Sequence, residues 1–136
     1  MNEDLIRSAL EVLDNSYAPY SQFHVAAAVL TDTGNVYTGV NVENASYPAG
    51  ICAECNAVGK AVSSGERKIR SIAIVGRDSK GNSSGYVSPC GICRQVLREF
   101  SNPQEMKVIM AKELNDYKEM TLEELLPASF GPESLG

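Results

Sequence analysis

The sequence contains no tryptophan, a single histidine and no apolar run long enough to cross a bilayer. We therefore expect neither a membrane-spanning helix nor a membrane partner. A secretory signal is not expected either, because Met1-Asn2-Glu3-Asp4-Leu5 opens with acidic residues and not with basic residues followed by an apolar stretch. The cytoplasm is the expected compartment.

Positive charge is also scarce. Twelve Lys and Arg residues against seventeen Asp and Glu residues give a net charge of -5, and such a protein is repelled by phosphate backbones. The absence of tryptophan points the same way, because single-stranded nucleic acids are held by stacking aromatic rings. A long nucleic acid is therefore not an expected partner, and a small molecule fits better.

Cysteine occurs four times, in two close pairs. The 136 residues are enough for one domain, predicted to span 1–136, to fold around its own core without disulfides. Thiols stay reduced in the cytoplasm. Paired cysteines in this setting indicate metal ligands.

The spacing of apolar residues predicts helices that alternate with strands. The predicted helices cover about 2–16, 52–62 and 90–100, with a short one after Thr121, and the predicted strands cover 23–30, 36–42, 69–75 and 108–111. The run at 69–75 is almost continuously apolar, as expected of a central strand that is buried on both faces. We expect an α/β domain with helices packed on one mixed sheet.

Two segments of the sequence have the composition of a metal site: Cys52-Ala53-Glu54-Cys55 and Pro89-Cys90-Gly91-Ile92-Cys93. Each places two thiols three residues apart at the start of a predicted helix, so both thiols lie on one helix face. The positive end of the helix favours the thiolate, which is the form that binds metal. Zinc suits sulfur ligands in tetrahedral geometry.

Two kinds of zinc site are compatible with this pattern. In a closed structural site, all four cysteines bind the metal. In a catalytic site, three ligands leave one position open, and Glu54 between the first two thiols supplies the proton transfer that hydrolysis needs. The length of the chain and the position of Glu54 favour the catalytic site.

Cys-Ala-Glu followed by Pro-Cys-x-x-Cys closely resembles the zinc-dependent cytidine deaminases of the small, homotetrameric type. The resemblance extends along almost the whole chain. The further segments that carry it are Tyr17-Ala18-Pro19-Tyr20-Ser21, Asn41-Val42-Glu43-Asn44-Ala45-Ser46-Tyr47, Arg94-Gln95-Val96, Leu125-Leu126-Pro127 and Phe130-Gly131-Pro132.

This resemblance implies a three-layer α/β/α cytidine deaminase-like fold, with a mixed central sheet of about five strands flanked by helices. It implies one Zn²⁺ per chain, held by Cys52, Cys90 and Cys93. The implied reaction is hydrolytic deamination of cytidine and 2'-deoxycytidine to uridine and 2'-deoxyuridine in pyrimidine salvage. Zinc would activate the water that attacks C4, and Glu54 would transfer the protons.

The resemblance also implies substrate contacts and a homotetramer in which neighbouring subunits complete each site. Asn41 and Glu43 would bind the ribose hydroxyls, and Phe23 would pack against the base. The other implied substrate-binding residues are Ala53, Ala45, Tyr47 and Phe130, of which the last three would reach across subunits, with Phe130 covering the pocket.

Cys55 departs from the family pattern, since many members carry an arginine there that donates hydrogen bonds to the ligand thiolates. Three thiolates leave a zinc site net negative unless nearby donors offset the charge. We expect backbone amides at the two helix starts, together with the Arg94 side chain, to do so.

Three other functions stay open at this stage. A deaminase of the nucleoside antibiotic blasticidin shares the cysteine motifs, although the set Asn41, Glu43 and Phe130 favours an ordinary nucleoside. A polynucleotide cytosine deaminase shares the fold, but the acidic composition disfavours it. A zinc-stabilised interaction module is the alternative without catalysis.

Overall fold

A computed structural model describes residues 2–83 and 85–136. Its α-helices and strands alternate along much of the chain, and short 3-10 helices lie between some of them. The α-helices are α1 (Asn2–Val12), α2 (Ala53–Ser63), α3 (Gly91–Glu99) and α4 (Leu122–Leu125). The strands are β1 (Phe23–Thr31), β2 (Val36–Val40), β3 (Ile69–Asp78), β4 (Lys107–Glu113) and β5 (Asp116–Thr121).

The five strands form one sheet in the order β2-β1-β3-β4-β5. β3 and β4 are parallel, whereas the other neighbouring pairs are antiparallel. Parallel neighbours need a long crossover, and α3 lies in the connection between them. The prediction of a mixed sheet of about five strands with a central β3 is confirmed.

Helices cover both faces of the sheet, and alternate residues of β1 belong to different cores. On one face, α1 packs against a cluster that includes Ala26 and Ala28. On the other face, α2 and α3 pack against a cluster that includes Ala27 and Val29. The molecule therefore has the expected three-layer α/β/α architecture.

Gly39 in β2 lets α2 lie unusually close to the sheet. A Cβ atom at this position would be 2.5 Å from the backbone nitrogen of Ala57 and 2.7 Å from the carbonyl oxygen of Ala53. Any side chain here would push the helix away. The glycine thus fixes the height of α2, whose first turn carries Glu54.

Several elements differ from the sequence-based predictions. The first helix, predicted to reach about residue 16, ends as an α-helix at Val12 and is followed by a 3-10 helix over Leu13–Asn15. β5 was not predicted, because its residues are mostly polar and it pairs only with β4 at the edge of the sheet. β3 extends to Asp78 because its last residues pair with the start of β1. β2 ends at Val40, so Asn41 lies just beyond the strand. The predicted loop 77–85 contains residue 84, which lies outside the described residues.

Other boundaries agree closely. The predicted capping box is present at the start of α4, where Thr121 Oγ1 accepts from the amide of Glu124 at 3.2 Å and Glu124 Oε1 accepts from the amide of Thr121 at 2.9 Å. Across the part of the chain that the structure describes, we find no helix with the length and apolar character needed to cross a bilayer.

Candidate active site

Three cysteines meet where α2 and α3 begin. Cys52 is the N-cap residue of α2, Cys90 is the N-cap residue of α3, and Cys93 lies in the first turn of α3. Their Sγ atoms all lie within 4.8 Å of one another. A tetrahedral zinc ion with Zn–S bonds of ~2.3 Å holds its sulfurs about 3.8 Å apart. The three thiols therefore fit a zinc ion and leave one coordination position to another ligand.

Cys55 lies beside this group without belonging to it. Its Sγ is 3.5 Å from the Sγ of Cys93. Among residues 2–83 and 85–136, however, the cluster with metal-ligand spacing contains Cys52, Cys90 and Cys93 only. This arrangement supports the site with an open position over the closed four-cysteine site.

The helix starts affect the thiols differently. Burial raises the pKa of Cys52 to about 11, and burial also raises the pKa of Cys93. Burial acts in the same direction on Cys90, but hydrogen bonds from the amide and thiol of Cys93, the thiol of Cys52 and the amide of Ile92 together outweigh it and lower the pKa of Cys90. The start of α3 therefore supplies the backbone donors expected from the sequence.

Glu54 projects from the first turn of α2 and is only 6% exposed. Burial raises the pKa of its carboxyl group. Burial of the thiols is the main reason that the pKa values of Cys93 and Cys52 are raised, and the charge of Glu54 raises both further. The carboxylate is therefore close to these thiols. A buried carboxyl group with a raised pKa is suited to accept a proton and to return it.

Asn41 is bound to the backbone of β1. Its Oδ1 accepts from the amide of Val25 at 3.0 Å and from the hydroxyl of Ser16, and its Nδ2 donates to the carbonyl of Phe23 at 2.8 Å. An asparagine amide has two acceptor sites and two N–H donors. These contacts use both acceptor sites and one donor, which leaves one N–H for a further acceptor.

Glu43 is held by the turn before β1. Its Oε1 accepts from the amides of Tyr20 at 3.0 Å and Ser21 at 3.1 Å, and its Oε2 accepts from the Ser21 hydroxyl. The hydrogen bonds from Ser21 are the main reason that the pKa of Glu43 is lowered. The carboxylate is therefore ionised and keeps acceptor capacity on Oε2.

A cavity of about 360 Å³ opens beside Glu43. Its lining residues come from the turn before β1 and from the loop before α2: Tyr20, Ser21, Glu43, Asn44, Tyr47 and Gly50. The three clustered cysteines do not line this cavity. Of the two ribose-binding candidates, Glu43 lines this cavity and Asn41 does not.

Phe23 is the first residue of β1, and Ala53 is the first residue of α2, next to Cys52. Phe23 is half-buried at the start of β1, and its Cζ lies 3.0 Å from the position that a Cβ on Gly76 would take. Cγ2 of Val87 lies 2.6 Å from the same Cβ position on Gly76. Ala53 is fully buried as the first residue of α2. Both positions are compatible with the contacts that the family resemblance implies.

The residues expected to reach across subunits are open to solvent in one chain. Ala45 is exposed, Tyr47 is 76% exposed and Phe130 is 59% exposed. The ring of Tyr47 makes an edge contact with Tyr20, with ring centroids 6.2 Å apart.

Arg94 supports the segment before Cys90. Its Nε donates to the carbonyl of Pro89 at 2.7 Å, and its two terminal nitrogens donate to the carbonyl of Leu125 at 2.6 Å and to the hydroxyl of Ser88 at 2.8 Å. These three hydrogen bonds go to oxygen atoms, and none of the three goes to a cysteine sulfur. Its contacts instead fix the chain that leads to Cys90.

Sequence reasoning missed Arg98, which is 8% exposed on α3. It also missed Ser16, whose hydroxyl bonds both Asn41 and the Nδ1 of His24. His24, the single histidine, is half-buried and makes no contact with the cysteine cluster among the described residues. For Arg98, the spacing of apolar and polar residues along α3 does not distinguish a buried arginine from an exposed one.

Comparisons with known proteins agree with this geometry. The family model described as the cytidine and deoxycytidylate deaminase zinc-binding region matches residues 1–111. A cytidine deaminase of Sporosarcina psychrophila is 41% identical over 133 residues, which is 98% of this chain and 93% of that protein. One from Halalkalibacterium halodurans is 43% identical over 131 residues, covering 96% and 95%.

The fold is similar to that of a solved relative. The crystal structure of cytidine deaminase from Burkholderia pseudomallei matches with a TM-score of 0.85 and 38% sequence identity, over 96% of this chain and 99% of that one. The family match spans both cysteine segments and Glu54. This chain belongs to the cytidine and deoxycytidylate deaminase family, with its zinc-binding region.

Proposed function

We propose that this protein is a zinc-dependent hydrolase that converts cytidine and 2'-deoxycytidine to uridine and 2'-deoxyuridine with release of ammonia. The proposal rests on one observation: three sulfur atoms lie within 4.8 Å of one another at the starts of α2 and α3, and the buried Glu54 lies in the first turn of α2. Cys52, Cys90 and Cys93 are the proposed ligands. When bound, zinc polarises the attacking water and lowers its pKa toward neutrality.

Glu54 moves the protons in this proposal. It accepts a proton from the attacking water and delivers it to N3 of the pyrimidine, which lowers the barrier because attack at C4 disrupts the aromatic ring. It then takes the proton of the hydroxyl group now at C4 and gives it to the amine, which leaves as ammonia while C4 becomes a carbonyl. A carboxyl group whose pKa is raised by burial can serve both as base and as acid near neutral pH.

The ribose is held by two side chains that are already fixed. Asn41 has one N–H left after its contacts with β1, and Glu43 keeps acceptor capacity on Oε2. Because neither side chain has to be reoriented, little conformational entropy is lost when ribose hydroxyls bind. Phe23 packs against the base, and the backbone of Ala53 contacts it at the start of α2.

The proposed assembly of this protein is a homotetramer. Ala45, Tyr47 and Phe130 complete the site of a neighbouring subunit, and Phe130 covers the bound nucleoside. Support comes from the exposed aromatic rings, since large apolar side chains that face solvent favour association. The protein acts as a single domain over 1–136, in the cytoplasm, in pyrimidine salvage.

The proposal is tested by incubating zinc-loaded protein with cytidine and following both ammonia release and the ultraviolet change from cytidine to uridine. We expect turnover of cytidine and deoxycytidine that stops after chelation and returns with zinc. A cytosine-containing oligonucleotide and blasticidin serve as comparison substrates. Turnover confined to either of them, or no turnover with four sulfurs bound to each zinc, would contradict the proposal.

A further inference from the structure

Arg98 is a buried cation on the helix that carries Cys93. It is 8% exposed, and its guanidinium group reaches the C-terminal segment 129–133. Nε donates to the hydroxyl of Ser129 at 2.8 Å. One terminal nitrogen lies 2.8 Å from Glu133 Oε2, and the other donates to Oε1 at 3.4 Å. A single side chain thus binds both ends of this segment.

The middle of the segment crosses the guanidinium group at very short range. A Cβ atom on Gly131 would lie 2.4 Å from Cζ of Arg98 and 2.6 and 2.7 Å from its terminal nitrogens. The backbone at Gly131 is extended, with φ of -153°, which any residue can adopt. A side chain at this position would therefore have to displace the guanidinium group, whereas the backbone conformation does not require glycine.

Phe130 lies inside the same segment. Its carbonyl accepts from Gln95 Nε2 at 2.9 Å, so α3 holds the backbone at Phe130 itself and on either side of it. The ring, in contrast, is 59% exposed. The backbone is fixed to the helix that carries Cys93, while the aromatic ring is left open for another contact.

We infer that Arg98 is a positioning residue that holds segment 129–133 on α3 so that the ring of Phe130 covers the nucleoside bound in a neighbouring subunit. The inference rests on the proposed function, because it assigns Phe130 to the nucleoside pocket. Arg98 itself does not contact substrate. Its effect passes through the backbone on either side of Phe130.

Two substitutions disturb the contact from opposite sides. Arg98→Lys keeps the charge but removes the planar fork that bonds Ser129 and Glu133 together. Gly131→Ala keeps the arginine but forces the segment and the guanidinium group apart. Arg70→Lys is the matched control, because Arg70 is an exposed arginine on β3 whose guanidinium bonds the carbonyl of Asp32.

For both test variants we expect the KM for cytidine to rise about tenfold, the order expected when one aromatic ring loses its contact with a ligand. The value of kcat should stay within about twofold, since the cysteines and Glu54 are untouched. Zinc content should remain one per chain. Hydrogen exchange of peptides from 129–136 should quicken, and Arg70→Lys should match the wild type in each measurement.

A double variant tests the route through Phe130. If Arg98 acts by placing this ring, Arg98→Lys should add no further increase in KM to Phe130→Ala. Full additivity would overturn the inference, as would an unchanged KM in both single variants despite faster exchange, or a loss of zinc and kcat at constant KM. A wild-type protein with no cytidine turnover would instead contradict the proposed function, and exchange would still report whether Arg98 holds the segment.

Discussion

The Sγ atoms of Cys55 and Cys93 lie 3.5 Å apart, so a neutral side chain is next to one of the three proposed zinc ligands. Cys90, at the start of α3, receives hydrogen bonds from the amides of Ile92 and Cys93, and these lower its pKa. Backbone donors therefore stabilise at least one thiolate. This arrangement shows how the site can tolerate a thiol where many family members have arginine.

Replacing Cys55 by serine should leave one zinc per chain and most of the activity, because Cys55 is outside the cluster with ligand spacing. The matched variant Cys93→Ser should lose the metal on dialysis, since a neutral hydroxyl is a poor zinc ligand compared with a thiolate. Zinc content by elemental analysis checks both. If Cys55→Ser lost its zinc, Cys55 would be a ligand and the closed four-cysteine site would be correct.

Zinc affinity should fall steeply as the pH is lowered. Zinc binds the thiolate, and burial raises the pKa of Cys52 to about 11 and raises the pKa of Cys93. Both thiols are therefore protonated in the zinc-free protein at neutral pH, and each must release its proton on binding. At least two protons are therefore released per zinc, which gives a change in Kd of about a hundredfold or more per pH unit.

This pH dependence can be measured by competition with a chelator between about pH 6 and pH 9, after correction for protonation of the chelator. The Kd for zinc should increase toward low pH. An affinity that stays constant across this range would mean that the thiols are already ionised in the zinc-free protein.

Gly39→Ala should destabilise the protein by about 1–3 kcal/mol, because overpacking of a close contact costs energy of this size. The new Cβ would press on the backbone of α2 at Ala57 and Ala53, and the displaced helix would also lower kcat by moving Glu54. The free energy of unfolding in urea, at fixed zinc and protein concentrations, checks the first effect.

Gly59→Ala is the control, since Gly59 lies on the same helix and a Cβ there meets no atom within 4 Å. Alanine has the higher helix propensity, so this variant should be more stable than wild type by about 0.5–1 kcal/mol. If Gly39→Ala were as stable as Gly59→Ala, α2 would not be held by its contact with β2.

The two cysteine segments and Glu54 indicate a candidate metal site from the sequence because each segment is local, whereas the choice of Cys52, Cys90 and Cys93 as ligands rests on the family resemblance. Two cysteines three residues apart at a helix start share a helix face whatever the rest of the chain does. The apolar run of β3 likewise indicates a strand buried on both faces. These features depend on short-range geometry, which the sequence displays directly.

Contacts between distant segments could not be predicted in the same way. β5 is a polar strand at the edge of the sheet, and it forms because β4 offers it unpaired backbone groups. The bonds of Asn41 to Phe23 and Val25 arise only when β1 and β2 pair. Arg98 is buried because the C-terminal segment folds back over α3.

Replacing Glu54 by glutamine tests the central claim most directly. The amide keeps the size of the side chain but cannot transfer a proton, so kcat for cytidine should fall by about 10³-fold or more. Zinc content should stay at one per chain, and Glu11→Gln, at an exposed position on α1, should match the wild type. A Glu54→Gln protein that retains zinc and deaminates cytidine at the wild-type rate would contradict the account.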